Sequence, residues 1–511
     1  MPNRSKRFLA SLLTGYGSIA ASIIYTMASI PLALHYLGKE EFGLWALALQ
    51  INGYLGLLDL GISSAVSRFL ADHKDDVNGG EYGSLLLTGG LVFTVQGLAV
   101  ALVGYGFSRF APAVFSIPSH LGGAFSGVLT LLAAFSGLSI AMRSFGSPLW
   151  AFQRMEVINI CSSLGLLINL PLMWLGFKLG FGIYSLALAG VPSILLTLVA
   201  YFWICAKNHF YPQRGCWGAP RRDIFRHIFG FGRDTLLVNL GSQLVNATQI
   251  MIISRVLGLD AAATFSIATK LFSMGQQVFH KVIESAAPGL TELFVRGEHS
   301  RFIERYWDAL SVTLALATLG AVGLAGFNAE FVSIWTAGTI SWTPVGDLLL
   351  ALTLVLTSQT RNFVGLFGLT GSFRSVRFLY FVEGLAFIPL AVLMTRRFGI
   401  SGALSASLGA HLLITLPFSF RAARKVLGNS KVILRGFVIS LVVIALAATV
   451  AWAGRALQLS IPSKVVSIVL TSLLAANLIW FVSLSKPVRS HLGSYVFIAL
   501  RPIMRVFGFA H

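Results

Sequence analysis

A chain of 511 residues with 56% apolar and 11% charged side chains, and a mean hydropathy of +0.78, lies far outside the soluble range, which excludes water as its main solvent. The formal charge of +19 does not point to nucleic acid, because the basic residues are spread over loops that suit an anionic leaflet and leave no room for a nucleic-acid-binding module. The three cysteines, Cys161, Cys205 and Cys216, form neither a disulfide framework nor a metal-ligand spacing, and no GxxxxGK[ST] loop occurs for ATP hydrolysis.

A helix needs about 20 apolar residues to cross a bilayer. Candidate runs lie at 12–34, 44–69, 82–107, 121–142, 156–177, 181–204, 234–256, 262–287, 309–332, 345–369, 377–395, 401–420, 436–455 and 465–484. They predict an all-α integral membrane protein of about fourteen transmembrane helices. The first run follows Arg4, Lys6 and Arg7 but is too long for a signal core. Lys178 interrupts the fifth and sixth runs, and Arg396-Arg397 the eleventh and twelfth, where hairpins are needed. Lys and Arg concentrate at 205–233 and 421–435; placing those segments inside puts both termini in the cytoplasm. Arg221, Arg222 and Arg226 alternate with Ile224, Phe225, Ile228 and Phe229, which predicts a short interfacial helix. The outward loops are too short for a separate catalytic domain.

Internal repetition follows. Leu37-Gly38 matches Leu257-Gly258, Arg143-x-Phe145 matches Arg361-x-Phe363, and Phe181-Gly182-Ile183 matches Phe398-Gly399-Ile400, at offsets of 220, 218 and 217 residues. Three matches in order predict two pseudo-symmetric six-helix lobes. The expected organisation is an N-terminal lobe at 1–204, a cytoplasmic linker at 205–233, a C-terminal lobe at 234–420, helices 13 and 14 at 421–484, and a cytoplasmic tail at 485–511.

The stretch Tyr36-Leu37-Gly38-Lys39-Glu40-Glu41-Phe42-Gly43-Leu44-Trp45, continuing through Gly53-Tyr54-Leu55-Gly56-Leu57-Leu58-Asp59-Leu60-Gly61-Ile62, resembles the first hairpin of bacterial polysaccharide (Wzx-type) flippases. These belong to the multidrug/oligosaccharidyl-lipid/polysaccharide exporter (MOP) superfamily. The motif resemblance covers about the first 75 residues and, more weakly, 250–300, while the twelve-plus-two plan extends over the whole chain. It implies translocation of an undecaprenyl-pyrophosphate-linked oligosaccharide to the outer leaflet of the bacterial inner membrane by alternating access. No cofactor or metal is implied. The implied partners are that lipid-linked oligosaccharide and membrane lipids, with a polymerase or glycosyltransferases of the pathway as further candidates and no nucleic acid.

Several residues suit that cargo. Ser266, Lys270, Ser273, Gln277, Lys281 and Glu284 share one face of span eight. A charge at bilayer depth costs roughly 2.5–3.5 kcal/mol on insertion scales, so Lys270 should face water or a partner. Lys281 and Glu284 either join this face or pair near the cytoplasmic end. Asn239, Gln243 and Asn246 present amides from span seven, for sugar hydroxyls or for interhelical hydrogen bonds. Asn52, Asp59 and Ser63 share a face of span two. Asp59 is either an ion-coupling proton carrier or the partner of an Arg or Lys in its own half, with Glu284 and Glu383 as further ion-coupling candidates. Arg143 and Arg361 could clamp pyrophosphate bidentately or anchor their helices.

Span one departs from two relatives: it lacks the arginines of lipid II flippases and the acidic residue usual in drug exporters. The competing readings are a drug or cation antiporter of the same superfamily and a membrane glycan polymerase or ligase, which should have a sizeable outer loop.

Overall fold

A computed structural model describes residues 2–369, 378–428, 431–458, 460–483 and 489. The chain runs through α1 (Pro2–Tyr36), α2 (Lys39–Leu55), α3 (Ile62–Asp72), α4 (Glu81–Val114), α5 (Ser119–Ala141), α6 (Arg143–Ala151), α7 (Met155–Lys178), α8 (Tyr184–Leu188), α9 (Gly190–Lys207) and α10 (Arg222–Asn246). It continues through α11 (Thr248–Leu257), α12 (Leu259–Ala268), α13 (Lys270–Val295), α14 (His299–Trp335), α15 (Pro344–Leu369), α16 (Leu379–Ala410), α17 (Leu416–Leu427), α18 (Lys431–Ala456) and α19 (Ile461–Leu478). Among the described residues there is no strand, and nine helical segments are long and apolar enough to cross a membrane. An all-helical multi-pass chain follows from the solvent: in hydrocarbon every backbone N–H and C=O must be satisfied within the segment. The predicted tail at 485–511 falls outside the described residues apart from Arg489.

Two compact units form. Unit 1 holds Met1–Ala268, Val332–Ser341 and Phe373–Ala410; unit 2 holds Thr269–Phe331, Trp342–Ser372 and His411–His511.

In unit 1, α4 and α5 cross closely because neither has a side chain at the contact. A Cβ on Gly97 would lie 2.3 Å from the Gly137 carbonyl oxygen, and one on Gly137 equally 2.3 Å from that of Gly97, with Ala101 and Ala141 one turn on. This small-xxx-small pairing is how helices associate where lipid removes the hydrophobic driving force. Gly97→Val and Gly137→Val are each expected to destabilise the protein by about 1–3 kcal/mol, and the double variant by less than the sum because both act at one contact. Thermal unfolding of the purified protein in detergent checks this. The opposite side of α4 carries Leu91, Val95, Leu98 and Leu102, 56%, 60%, 61% and 61% exposed, at the spacing of one helical face, which is a surface for lipid.

The segment after α9 is fastened to unit 1. The buried Tyr82 hydroxyl donates to the Phe210 carbonyl at 3.1 Å, and Tyr211 donates to that of Phe145 at 2.9 Å. Burial pushes the Tyr211 hydroxyl up, which keeps it a donor. The backbone N–H groups of Ala219 and Arg221 donate to Ser84 Oγ and Thr88 Oγ1, and Gly83 leaves room for the Trp217 backbone. Arg221 pairs with Glu81 and Asp223, and its hydrogen bond holds the Asp223 carboxyl below its usual range. The short interfacial helix expected at 221–229 does not stand alone. Residues from Arg222 onward run unbroken into Asn246, since Gly230 and Gly232 weaken a helix without terminating it.

The predicted hairpin near Arg396-Arg397 turns at Gly399, at φ 62°, and Gly402 lets the returning chain touch the Met394 carbonyl. In unit 2, Phe302, Tyr306, Phe363 and Leu366 build a core among α14 and α15. Thr318 and Ser440 bond at 2.7 Å to tie α18 to α14.

Candidate functional site

The predicted second span is broken. The end of α2 passes into a 3₁₀ turn at Gly56–Asp59; Leu60 and Gly61 then take positive φ, 53° and 72°, before α3 begins. Gly61 tolerates this conformation without steric cost. The break frees the carbonyls of Leu58 and Asp59, and both accept from Gln96 Nε2 of α4 at 3.1 Å, which gives the amide nitrogen its acceptors.

Asp59 therefore lies at the break and not on a continuous face. Its Oδ1 accepts from Ser63 Oγ at 2.7 Å and lies 2.8 Å from Arg143 Nη1, which also donates to Ser63 Oγ at 2.8 Å. Arg143 reaches it because α5 ends at Ala141 and α6 begins at Arg143. Of the two readings of Asp59, the structure contains the ion pair with an arginine of its own half. Asn52 does not join it: its Oδ1 accepts from Ser136 Oγ of α5 at 2.9 Å. The shared face of Asn52, Asp59 and Ser63 assumed a helical period that the turn interrupts.

Gln243 on α10 lies over Gly53 of α2. Its carbonyl accepts from the Tyr54 hydroxyl at 3.0 Å, while that hydroxyl also meets Thr248 Oγ1 at 2.5 Å. The side chains of Asn239 and Asn246 fall outside the described residues. Glu383 is buried on α16 of unit 1 at 2% exposure.

Span eight is also interrupted, at Thr269, where φ −88° and ψ 4° end the helical path. Ser266 stays in α12 of unit 1, and Lys270, Ser273, Gln277, Lys281 and Glu284 follow on α13 of unit 2. The six-residue stripe is thus corrected to five. Gln276 Nε2 donates to Thr357 Oγ1 of α15 at 3.1 Å, which sets α13 beside Arg361. Glu284 lies 3.6 Å from Lys281 Nζ and 3.5 Å from Arg361 Nη2, with Arg361 57% and Glu284 53% exposed. Such exposed pairs are weak, so two cations share one carboxylate and both stay available to an anion. Lys270 is half-buried, and among the described residues no carboxylate lies within ion-pair distance of it.

Three features escaped sequence reasoning. His411 opens a π-helical turn, His411–Thr415, and its Nε2 lies 2.5 Å from Thr360 Oγ1, next to Arg361. His280 Nε2, one residue before Lys281, is buried without a hydrogen-bond partner among the described residues. At the other end of unit 2, Arg455 grips both Glu330 oxygens at 2.8 Å and lies 3.5 Å from Asp347, while Lys464 is 3.7 Å from Glu330. Asn328 Nδ2 and the Ala329 N–H complete the Asp347 shell at 2.9 and 3.1 Å. The available signal was the rarity of acids in this chain, 19 in all; Glu330 and Asp347 near span ends resemble ordinary loop residues.

The sequence profile of the family described as "Polysaccharide biosynthesis protein" matches residues 11–294, more than half of the chain. This chain belongs to that polysaccharide biosynthesis family. A Shigella flexneri relative named "Putative O-antigen transporter" is 22% identical over 264 residues, 50% of this chain and 59% of that protein. The "Uncharacterized membrane protein EpsK" of Bacillus subtilis is 21% identical over 344 residues, 66% of each. The match thus spans less than two thirds of either relative. An inward-facing multidrug-resistance MATE-family transporter of the MOP superfamily superposes with a TM-score of 0.64 over 81% of this chain and 99% of its own, at 14% identity. A Pyrococcus furiosus MOP-superfamily transporter, described by a reversed polarity of its binding pocket, superposes with a TM-score of 0.54 over 86% of this chain and 96% of its own, at 15% identity. The family member thus has the MATE-like transporter fold, and the Shigella relative and both of these solved neighbours bear the names of transporters and not of enzymes.

Proposed function

We propose that this protein is a flippase that moves an undecaprenyl-pyrophosphate-linked oligosaccharide from the cytoplasmic to the outer leaflet of the bacterial inner membrane, for surface polysaccharide assembly. In this reading fourteen spans form two six-helix lobes plus two C-terminal helices, both termini are cytoplasmic, and the site is exposed alternately to the two sides. The observation that carries it is Lys270: a cation on a broken transmembrane helix with no carboxylate near it among the described residues. A charge placed there at a cost of roughly 2.5–3.5 kcal/mol needs a function. Arg361 and Lys281, sharing Glu284, extend the same anion-binding chemistry, and Arg143 offers it in unit 1. Guanidinium groups match pyrophosphate oxygens bidentately, and Gln243, Gln277, Asn52, Asn239 and Asn246 supply amides for sugar hydroxyls. Asp59, Glu284 and Glu383 remain the ion-coupling candidates. A cationic drug would call for surplus carboxylates, whereas Asp59 and Glu284 already face arginines. That disfavours the antiporter, and the short outer loops disfavour a polymerase.

Lys270→Ala and Arg361→Ala are each expected to lower surface glycan at least roughly tenfold, the loss of one charged contact to phosphate, with protein still in the membrane. Mass spectrometry of lipid extracts should show the complete lipid-linked unit accumulating, as in a deletion strain. Unchanged lipid intermediates with new drug sensitivity in the deletion strain would favour the antiporter.

A further inference from the structure

Unit 1 contains a cavity of about 340 Å³ bounded by the end of α5, by α7 and by α9, at the lower end of the size of small-ligand sites. It is walled by two rows at helical spacing, Ser162 and Asn169 from α7 and Ser193, Thr197 and Tyr201 from α9, with Leu166 and Leu198 forming an aliphatic side. Arg143 is the one charged residue in this wall, and no carboxylate lines it. The amide of Asn169 is held in place: with its amide turned so that the nitrogen faces the carbonyls, it donates to Ala189 at 2.6 Å and Gly165 at 3.3 Å, and Ser193 Oγ donates to the Gly165 carbonyl at 2.8 Å. Among the described residues the hydroxyls of Ser162, Thr197 and Tyr201 are left without a hydrogen-bond partner. A single fixed guanidinium beside free hydroxyls rejects a cation and matches an anion that carries its own hydroxyls.

The geometry points to this cavity as a binding site for a phosphate ester of a polyol, with the phosphate on Arg143 and the hydroxyls on Ser162, Thr197 and Tyr201. The Asp59 carboxylate, 2.8 Å from Arg143, is the internal anion such a phosphate displaces. Two sources carry this chemistry: the pyrophosphate-linked sugar of the proposed cargo, which rests on the flippase reading, and the glycerophosphate headgroup of an anionic phospholipid, which does not.

The test is calorimetric titration of the purified full chain with two soluble probes, a short-chain polyprenyl pyrophosphate bearing one N-acetylhexosamine and dioctanoyl phosphatidylglycerol. Thr197→Leu and Ser162→Leu fill the cavity; Thr197→Val removes a hydroxyl at constant volume and guards against misfolding. One saturable site is expected, weakened at least about tenfold by each leucine and several-fold by valine, as when a bound hydroxyl loses its partner. An effect confined to the pyrophosphate sugar assigns the cavity to the cargo, and one confined to phosphatidylglycerol assigns it to membrane lipid. Absence of binding, or binding equal in wild type and all three variants, overturns the site. Binding involves no transport, so a deletion strain with normal lipid-linked intermediates would refute the flippase reading while leaving the phosphatidylglycerol result standing.

Discussion

Arg143→Ala is expected to remove at least about nine tenths of glycan export, the tenfold loss in affinity that corresponds to about 1.4 kcal/mol from one charged phosphate contact. It also strips Asp59 of its cation. Because Arg143 is 40% exposed and Asp59 19%, solvent screens part of that loss, and the destabilisation should be about 1–2 kcal/mol. The two effects separate in the double variant. Asp59→Asn removes the orphaned charge, so Arg143→Ala/Asp59→Asn should recover the unfolding temperature of the wild type while export stays low. Asp59→Asn alone leaves the guanidinium without its internal anion and should bind the pyrophosphate-sugar probe more tightly. Thermal unfolding read beside surface glycan decides the matter: export recovering along with stability in the double variant would reduce Arg143 to a structural counter-ion.

The second large effect is on stability. Arg455→Ala should cost about 3–5 kcal/mol, the penalty for leaving buried acids without their cation. Asp347 is fully buried and Glu330 is 14% exposed, so water cannot replace the guanidinium. The Lys464 ammonium, 3.7 Å from Glu330, compensates only part. Arg455→Lys should recover little, since a point charge cannot grip both Glu330 oxygens as the planar fork does. Arg455→Met combined with Glu330→Leu and Asp347→Asn should recover most of the loss, because replacing a buried ion cluster whole is often neutral. Unfolding of the single variant at the wild-type temperature would show that α18 and α19 are held by apolar packing alone.

The parts of this protein legible in its sequence are those that repeat along one helix or one half. The apolar rhythm announced the membrane, Lys178 and Arg396-Arg397 marked hairpins that the chain makes, and the matched Arg143-x-Phe145 and Arg361-x-Phe363 drew attention to two arginines that each meet a carboxylate of their own unit. Periodicity failed where a helix breaks. The turn at 56–61 sent Asn52 to Ser136 and left Asp59 with Ser63, and the interruption at Thr269 cut Ser266 from the stripe of Lys270. A helical wheel contains no term for either break.

By itself the sequence determined the solvent and the helical class, because a bilayer admits only backbones that satisfy themselves. Apart from local pairs such as Lys281–Glu284, which helical spacing already offered, tertiary structure decided which acid meets which base. Arg143 reaches Asp59 across 84 residues and Arg455 reaches Glu330 across 125, and the cavity beside Arg143 is assembled from three helices. Such meetings depend on how closely helices approach, which Gly97 and Gly137 permit at α4 and α5 and no local pattern encodes.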